Sequence, residues 1–275
     1  MSSDDIVEAM PGLTFGCDPE LFVMNTDGEF VSAEGLIPGT KSEPYPVKFG
    51  AVQVDGMAAE FNIDPVDNYN DFSRNVKEVR KQLKAMLPKG YKLVPAASVE
   101  FSEKVWDNTP DHAKELGCFP DFNAWTGTVN PPPHFLEKER LRTASGHLHI
   151  GWTEDADAHD IQYAQACIDL VKQLDWYLGF WSLGIDHDTQ RRNLYGKAGA
   201  MRFKPYGVEY RVLSNFWLAH PNRQKHMWNK LQMAIWDMST KYRPEKNSNF
   251  NDYIITSIDT SAQSDMIAVN FPMFA

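Results

Sequence analysis

Cysteine is scarce in this sequence, with 3 in 275 residues (Cys17, Cys118 and Cys167), an odd number at no metal-ligand spacing. That argues against a disulfide framework and for a reducing compartment. Long hydrophobic runs are missing as well: no stretch approaches the roughly 20 apolar residues of a membrane span. The opening MSSDDIVEAM is acidic and lacks the basic-then-apolar layout of a signal peptide. A soluble, cytoplasmic protein with no membrane partner is expected. Positive charge is the third shortage, with 27 Lys+Arg against 37 Asp+Glu and a net charge of -10. Broad binding to nucleic acid is therefore not expected, because neutralising phosphates takes clustered Lys and Arg. A local basic pocket for one phosphate-bearing ligand remains open. What is present is a core: 43% of residues are hydrophobic and 12% aromatic, enough for one large domain or two small ones.

Short apolar segments flank turn residues in two places. Leu21 to Asn25 and Glu29 to Ala33 surround Thr26-Asp27-Gly28, and Ala51 to Val54 and Met57 to Ile63 surround Asp55-Gly56. Both predict hairpins. From Asp71 to Leu87 the period changes: Phe72, Val76, Val79, Leu83 and Leu87 recur at steps of three and four before Pro88 and Gly90, which predicts a helix. Lys92 to Phe101 reads as one strand. Glu103 to Arg142, with Trp106, Trp125 and Pro131-Pro132-Pro133, reads as a long ordered loop. Thr143 to Trp152 reads as strand, Asp157 to Leu178 as helix, and Asp186 to Gly199 as a polar loop. Strands near Met201-Phe203 and Val208-Leu213 follow, then a helix from Pro221 to Tyr242 with Trp228 and Trp236 expected in the core. This order gives an α+β fold on an antiparallel sheet, with helices over one face.

The most informative feature is a set of polar pairs at i and i+2, which a strand places on one face. They are Asp18 and Glu20, Glu60 and Asn62, His147 and His149, and Glu209 and Arg211, each opposed by apolar neighbours such as Leu21, Phe61, Ile150 and Tyr210. A merely wet sheet face favours Thr, Ser, Lys and Gln. Several acids on one face repel each other unless a cation sits among them. Carboxylates with an imidazole suit a hard divalent ion, Mg²⁺ or Mn²⁺. The stretch from Arg191 to Lys204 holds five Lys/Arg and two glycines, a candidate phosphate clamp, although it is no Walker A loop.

Taken together these segments resemble the phage-type carboxylate-amine ligases, the amidoligase relatives of glutamine synthetase and glutamate-cysteine ligase. The resemblance rests on Phe15-Gly16-Cys17-Asp18-Pro19-Glu20, on Val54-Asp55-Gly56 through Glu60-Phe61-Asn62, and on Gly117 to Trp125. It continues in Gly146-His147-Leu148-His149-Ile150-Gly151 and Gly207-Val208-Glu209-Tyr210-Arg211. It implies a single catalytic domain over residues 1–275, whose curved sheet forms a half-barrel with helices on its convex face. ATP and two divalent ions would bind the concave face. Asp18, Glu20, Glu60, His147 and Glu209 match the metal ligands, and Asp18 stands where glutamine synthetase usually has glutamate. Asp55 and Asp121 are both candidates for a second acid near Glu60. Arg211 matches the phosphate or transition-state contact; Arg192, Lys197, Arg202 and Lys204, with His149, are expected at the nucleotide, and Asp121 as the base.

The implied reaction passes the γ-phosphoryl group of ATP to a substrate carboxylate, and an amine then displaces phosphate from the acyl phosphate to form an amide. Substrates would be small molecules or peptides, in a host cytoplasm if the protein is phage-encoded. A metal-dependent hydrolase and a non-catalytic phage interaction protein are the alternatives, and the oligomeric state is left open.

Overall fold

The computed structural model describes residues 12–115, 120–132, 140–246 and 248–261. The chain opens with β1 (Thr14–Cys17) and β2 (Glu20–Met24), followed by β3 (Phe30–Val31), β4 (Tyr45–Val47), β5 (Gly50–Asp55) and β6 (Ala58–Ile63). Helix α1 (Tyr69–Met86) leads to β7 (Lys92–Val94) and β8 (Ser98–Glu100). Two short helices, α2 (Glu103–Asn108) and α3 (Asp111–Lys114), precede β9 (Phe122–Asn123), β10 (Thr128–Val129), β11 (Leu141–Thr143) and β12 (Leu148–Gly151). Then come α4 (Ile161–Leu174), α5 (Thr189–Leu194), β13 (Ala200–Lys204), β14 (Gly207–Tyr210), α6 (Pro221–Ser239) and α7 (Ser248–Thr260).

All ladders are antiparallel. One sheet has the order β1-β12-β14-β13-β9-β10, the other β3-β2-β6-β5-β4 with β7 also on β2; β8 and β11 form a separate ribbon. The two large sheets meet where β1 turns into β2 through Asp18-Pro19. Phe15 bridges Val66 just beyond β6, and the Glu20 amide donates to the Ser145 carbonyl at 2.9 Å. The result is an α+β fold of antiparallel sheets, with α1 packed on β5 and β6 and α4 on β13 and β14. Val208 and Tyr210 of β14 turn toward the core, where α4 packs on β13 and β14. Glu209 and Arg211 turn the other way.

The helices begin and end for local reasons. Asn68 caps α1 by accepting from the Asp71 amide at 3.0 Å, and Phe72, Val76, Val79 and Leu83 form its buried stripe. Phe15 and Phe72 both pack on Trp228 of α6, with ring centroids 5.0 and 5.1 Å apart. Asp160 caps α4 through the Gln162 and Tyr163 amides. At Asp175–Gly179 that helix passes through a π turn, so Asp175 itself faces the sheet.

Four sequence expectations are corrected. Asp186 to Gly199 is not all loop, because Asp188 caps the short helix α5 by accepting from the Arg191 amide. Lys92 to Phe101 is two strands, because Pro95 has no amide to donate; β7 pairs with β2 while β8 crosses to β11. The stretch read as one long loop carries α2, α3, β9 and β10. Trp228 is buried as expected, but Trp236 is 61% exposed on the outer side of α6. Cys118 and Pro133 lie outside the described residues.

Candidate active site

Strand register assembles the first cluster. Gly16 pairs with His149, and His149 with Glu209, which in turn pairs with Arg202, so a row across β1, β12, β14 and β13 carries three of the candidate side chains. Asp18, at the end of β1, places Oδ1 3.3 Å from His147 Nδ1 and 3.1 Å from His149 Nε2. Glu209 Oε1 lies 3.5 Å from His147 Nδ1, and ligand atoms of Asp18, His147 and Glu209 lie within 4.8 Å of one another. The cations come from the same two strands: Lys204 Nζ is 2.7 Å from Glu209 Oε2, and the Arg211 guanidinium donates to Glu209 Oε1. Arg211 also reaches His147 Nδ1 at 3.2 Å and Asp121 Oδ1 at 2.7 Å. Arg202 Nε stands 3.6 Å from that same Asp121 oxygen.

A second cluster sits across the seam. Glu20 on β2 pairs directly with Glu60 on β6, and Asp55 ends β5; one oxygen from each lies within 4.8 Å of the others. Glu20 accepts from the Ser145 amide at 2.8 Å, and Lys41 holds Asp55 at 2.8 Å. Asp18 and Glu20 therefore do not share one strand face. Pro19 makes a corner, and the two acids serve different clusters.

Electrostatics separate the two. Burial pushes the Glu20 carboxyl up to about 8, with Asp55 adding to the rise against the Ser145 amide and Arg211. Glu60 goes well above its ordinary range through burial and then the charges of Asp18, Asp55 and Glu20. In the first cluster burial also works to raise Asp18, but His149 and His147 overcome it and hold Asp18 well below normal. Glu209 is held at about 2: burial and Asp18 oppose that, and Arg211 and the two histidines prevail. Burial and Arg211 lower His147, whereas Asp18 and Glu209 outweigh burial and raise His149.

A cluster of two buried acids and a half-buried third, with Lys41 at its edge, is unfavourable by itself. Its all-oxygen donor set fits a hard divalent cation, and Asp18, His147 and Glu209 offer a mixed oxygen and nitrogen set. A cavity of about 60 Å³ lies against Glu20, Asp55, Ser145, Arg142 and Arg211. A larger one of about 410 Å³ is lined by Asp121, Asn123, Asn130, Tyr195 and Lys197. The Arg211–Asp121 ion pair connects them.

Most of the expected residues converge here; Arg192 does not. Its guanidinium is wholly buried and donates to the Gly196 and Val212 carbonyls and the Ser182 hydroxyl. Lys197 stands apart from the acids, on the larger cavity, bonded to the Asp259 carbonyl at 3.4 Å. Asp55, considered only as an alternative from sequence, completes the second cluster, whereas Asp121 pairs with Arg211. Sequence reasoning missed Tyr206, whose hydroxyl bonds His149 Nδ1 and turns Nε2 toward Asp18. It also missed Asp175, which accepts from Trp125 Nε1 at 2.7 Å, the Gly199 amide at 2.6 Å and the Tyr210 hydroxyl at 2.7 Å. Neither sits at an alternating position beside another charge, the only signal that was available.

His147 and Glu209 belong to a stretch with known relatives. Residues 144–253 match the phage phiEco32-like COOH.NH2 ligase-type 2 family. This ligase-family segment supplies His147, His149, Arg202, Lys204, Glu209 and Arg211; Asp18, Glu20, Asp55, Glu60 and Asp121 come from outside it. Among curated proteins, none matches the chain. Among solved structures, a bifunctional glutathione synthetase from Pasteurella multocida aligns at 10% identity with a TM-score of 0.43, over 97% of this chain and 50% of that one. The chain thus spans half the length of that protein, and so loose a likeness says nothing of its substrates.

Proposed function

We propose that the chain is one catalytic domain, an ATP- and Mg²⁺- (or Mn²⁺-) dependent carboxylate-amine ligase that forms an amide through an acyl phosphate. The observation that carries this reading is the pairing of two acid clusters with a row of cations, Arg202, Lys204 and Arg211, inside the ligase-family segment. A carboxylate and a triphosphate repel each other, so joining them needs positive charge on both sides of the transferring group. Asp18, His147 and Glu209 would hold one divalent ion and Glu20, Asp55 and Glu60 another. Such ions, when bound, shield the triphosphate and polarise its oxygens.

The chain's own residues divide the remaining work. Arg211, clamped by Glu209 and Asp121, presents a fixed guanidinium to the transferring phosphoryl oxygens. Lys204 and Arg202 add charge at the same row, and Lys197 serves the larger cavity; Arg192, enclosed in the body, is dropped from the clamp. The γ-phosphoryl group moves to a carboxylate oxygen and ADP leaves. The amine nitrogen then bonds to the acyl carbon, phosphate departs, and Asp121 takes the proton the nitrogen loses.

The test is release of ADP and phosphate from ATP across a panel of carboxylate and amine pairs. Turnover should require both substrates and a divalent ion. Glu209→Gln keeps the side chain's shape and should lower turnover at least about 100-fold while circular dichroism stays native. Full activity in that variant, or hydrolysis of substrates in ATP-free buffer, would overturn the proposal.

A further inference from the structure

Between α1 and the start of α6 lies a groove of about 1000 Å³, none of whose walls is a site residue. Its floor is apolar, with Val76, Leu87 and Leu218 beneath. Its rim is basic: Lys77, Lys81, Lys84 and Lys89 are exposed, and none of the groove's lining residues is acidic. Among the described residues, no ion pair engages these four lysines. In a chain of net charge -10 this concentration is unusual. A solvated lysine face would account for the rim alone, but not for the apolar floor under it.

Geometry makes the rim a preformed feature. Lys77, Lys81 and Lys84 follow i, i+4, i+7, so they share one side of α1 over about 10 Å of helix. Arg80, between them, is half-buried and donates from Nη1 to the Leu218 carbonyl at 3.1 Å, which ties the helix to the turn before α6. The groove's two walls are thus fixed before anything binds, which lowers the ordering cost of a partner.

We propose that this groove docks an acidic polypeptide segment that carries apolar anchors, with Asp or Glu beside residues such as Leu, Phe or Met. The lysine rim matches the acids and the floor takes the anchors, the helix-or-strand-in-groove mode of peptide recognition. A single-stranded nucleic acid fits less well. Such grooves stack successive bases on several aromatic rings, and Tyr91 is the one aromatic side chain lining this groove.

The test selects a displayed library of random peptides, about 12 residues long, on the full chain and on Lys77→Glu/Lys81→Glu/Lys84→Glu. These lysines are exposed, so the variant should keep its circular dichroism and melting temperature. Peptides recovered on the wild type should be net negative with apolar residues interspersed. Their affinity, read by fluorescence anisotropy, should fall at least about 10-fold in the triple variant and also on raising salt from about 50 to 300 mM. Lys104→Glu, on exposed α2, should leave binding unchanged. Recovered peptides without acidic residues, equal binding to the triple variant, or tighter binding of a thymidine oligonucleotide would each overturn the proposal.

Discussion

Glu20 and Glu60 face each other across a strand pair with both side chains buried, an arrangement that like charges make costly. Asp55 adds a third carboxylate within 4.8 Å, and Lys41 holds that one at 2.8 Å. On the proposed reading the cluster trades stability for holding a divalent ion, and a single substitution should separate the two. Glu60→Gln removes one charge and keeps the shape. In EDTA at about pH 8, well above the range in which an unfolded chain's carboxyls titrate, holding these raised carboxyls together costs the fold stability. The variant should therefore melt about 2–4 °C above the wild type, the shift that ~1 kcal/mol produces in a protein of this size. With Mg²⁺ at about 10 mM the wild type should gain stability by mass action and the variant clearly less. Scanning fluorimetry in both buffers checks this. A wild type that is the more stable protein in EDTA would mean that the three acids do not strain the fold.

Elements are held in place by groups the alternating pattern does not mark, and Asp175 is the clearest. From the π turn after α4 it accepts hydrogen bonds from Trp125, Gly199 and Tyr210, tying the β9 turn, the entry to β13 and β14 to one helix. Burial raises its pKa to about 7 against the pull of those donors. The folded state therefore holds a proton that the unfolded chain, with an ordinary carboxyl pKa of about 4, gives up earlier. Stability from this group is fully present below about pH 4 and is lost as pH rises through 7. Between pH 5 and 8 the wild type should lose on the order of 3 kcal/mol relative to Asp175→Asn, whose side chain stays neutral. Urea denaturation of both proteins at the two pH values reads that difference, and parallel curves would refute it. This residue also marks how far the sequence could be read. Hairpins at Asp27-Gly28 and Asp55-Gly56 and the stripe Phe72, Val76, Val79, Leu83 were legible, since turn chemistry and period are local. The pairs His147 with His149 and Glu209 with Arg211 were legible as faces for the same reason. Pro19 as a corner was not, because alternation says which way a side chain points and not which sheet its strand joins. Arg192 was misplaced for a related reason: a Lys/Arg-rich stretch gives no sign of which guanidinium folds inward onto carbonyls.

At the scale of the molecule the site exists only where the two large sheets meet. The ligase-family segment brings His147 and Glu209; the first 63 residues bring Asp18, Glu20, Asp55 and Glu60. Asp18-Pro19-Glu20 is the hinge of that arrangement, handing one acid to each cluster. Two clusters of different donor chemistry on either side of a corner should behave as two ion sites that can be emptied separately. Mn²⁺ titrated into the full chain and followed by electron paramagnetic resonance should reveal two sites. Asp18→Asn should weaken the site with His147 and Glu209 about 10-fold or more and spare the other, and Asp55→Asn should do the reverse. Charge spreads between the clusters, since Asp18 contributes to raising Glu60. Each substitution should therefore shift the spared site by less than it weakens its own. One site in the wild type, or loss of both sites from either folded single variant, would show that the corner builds a single shared centre.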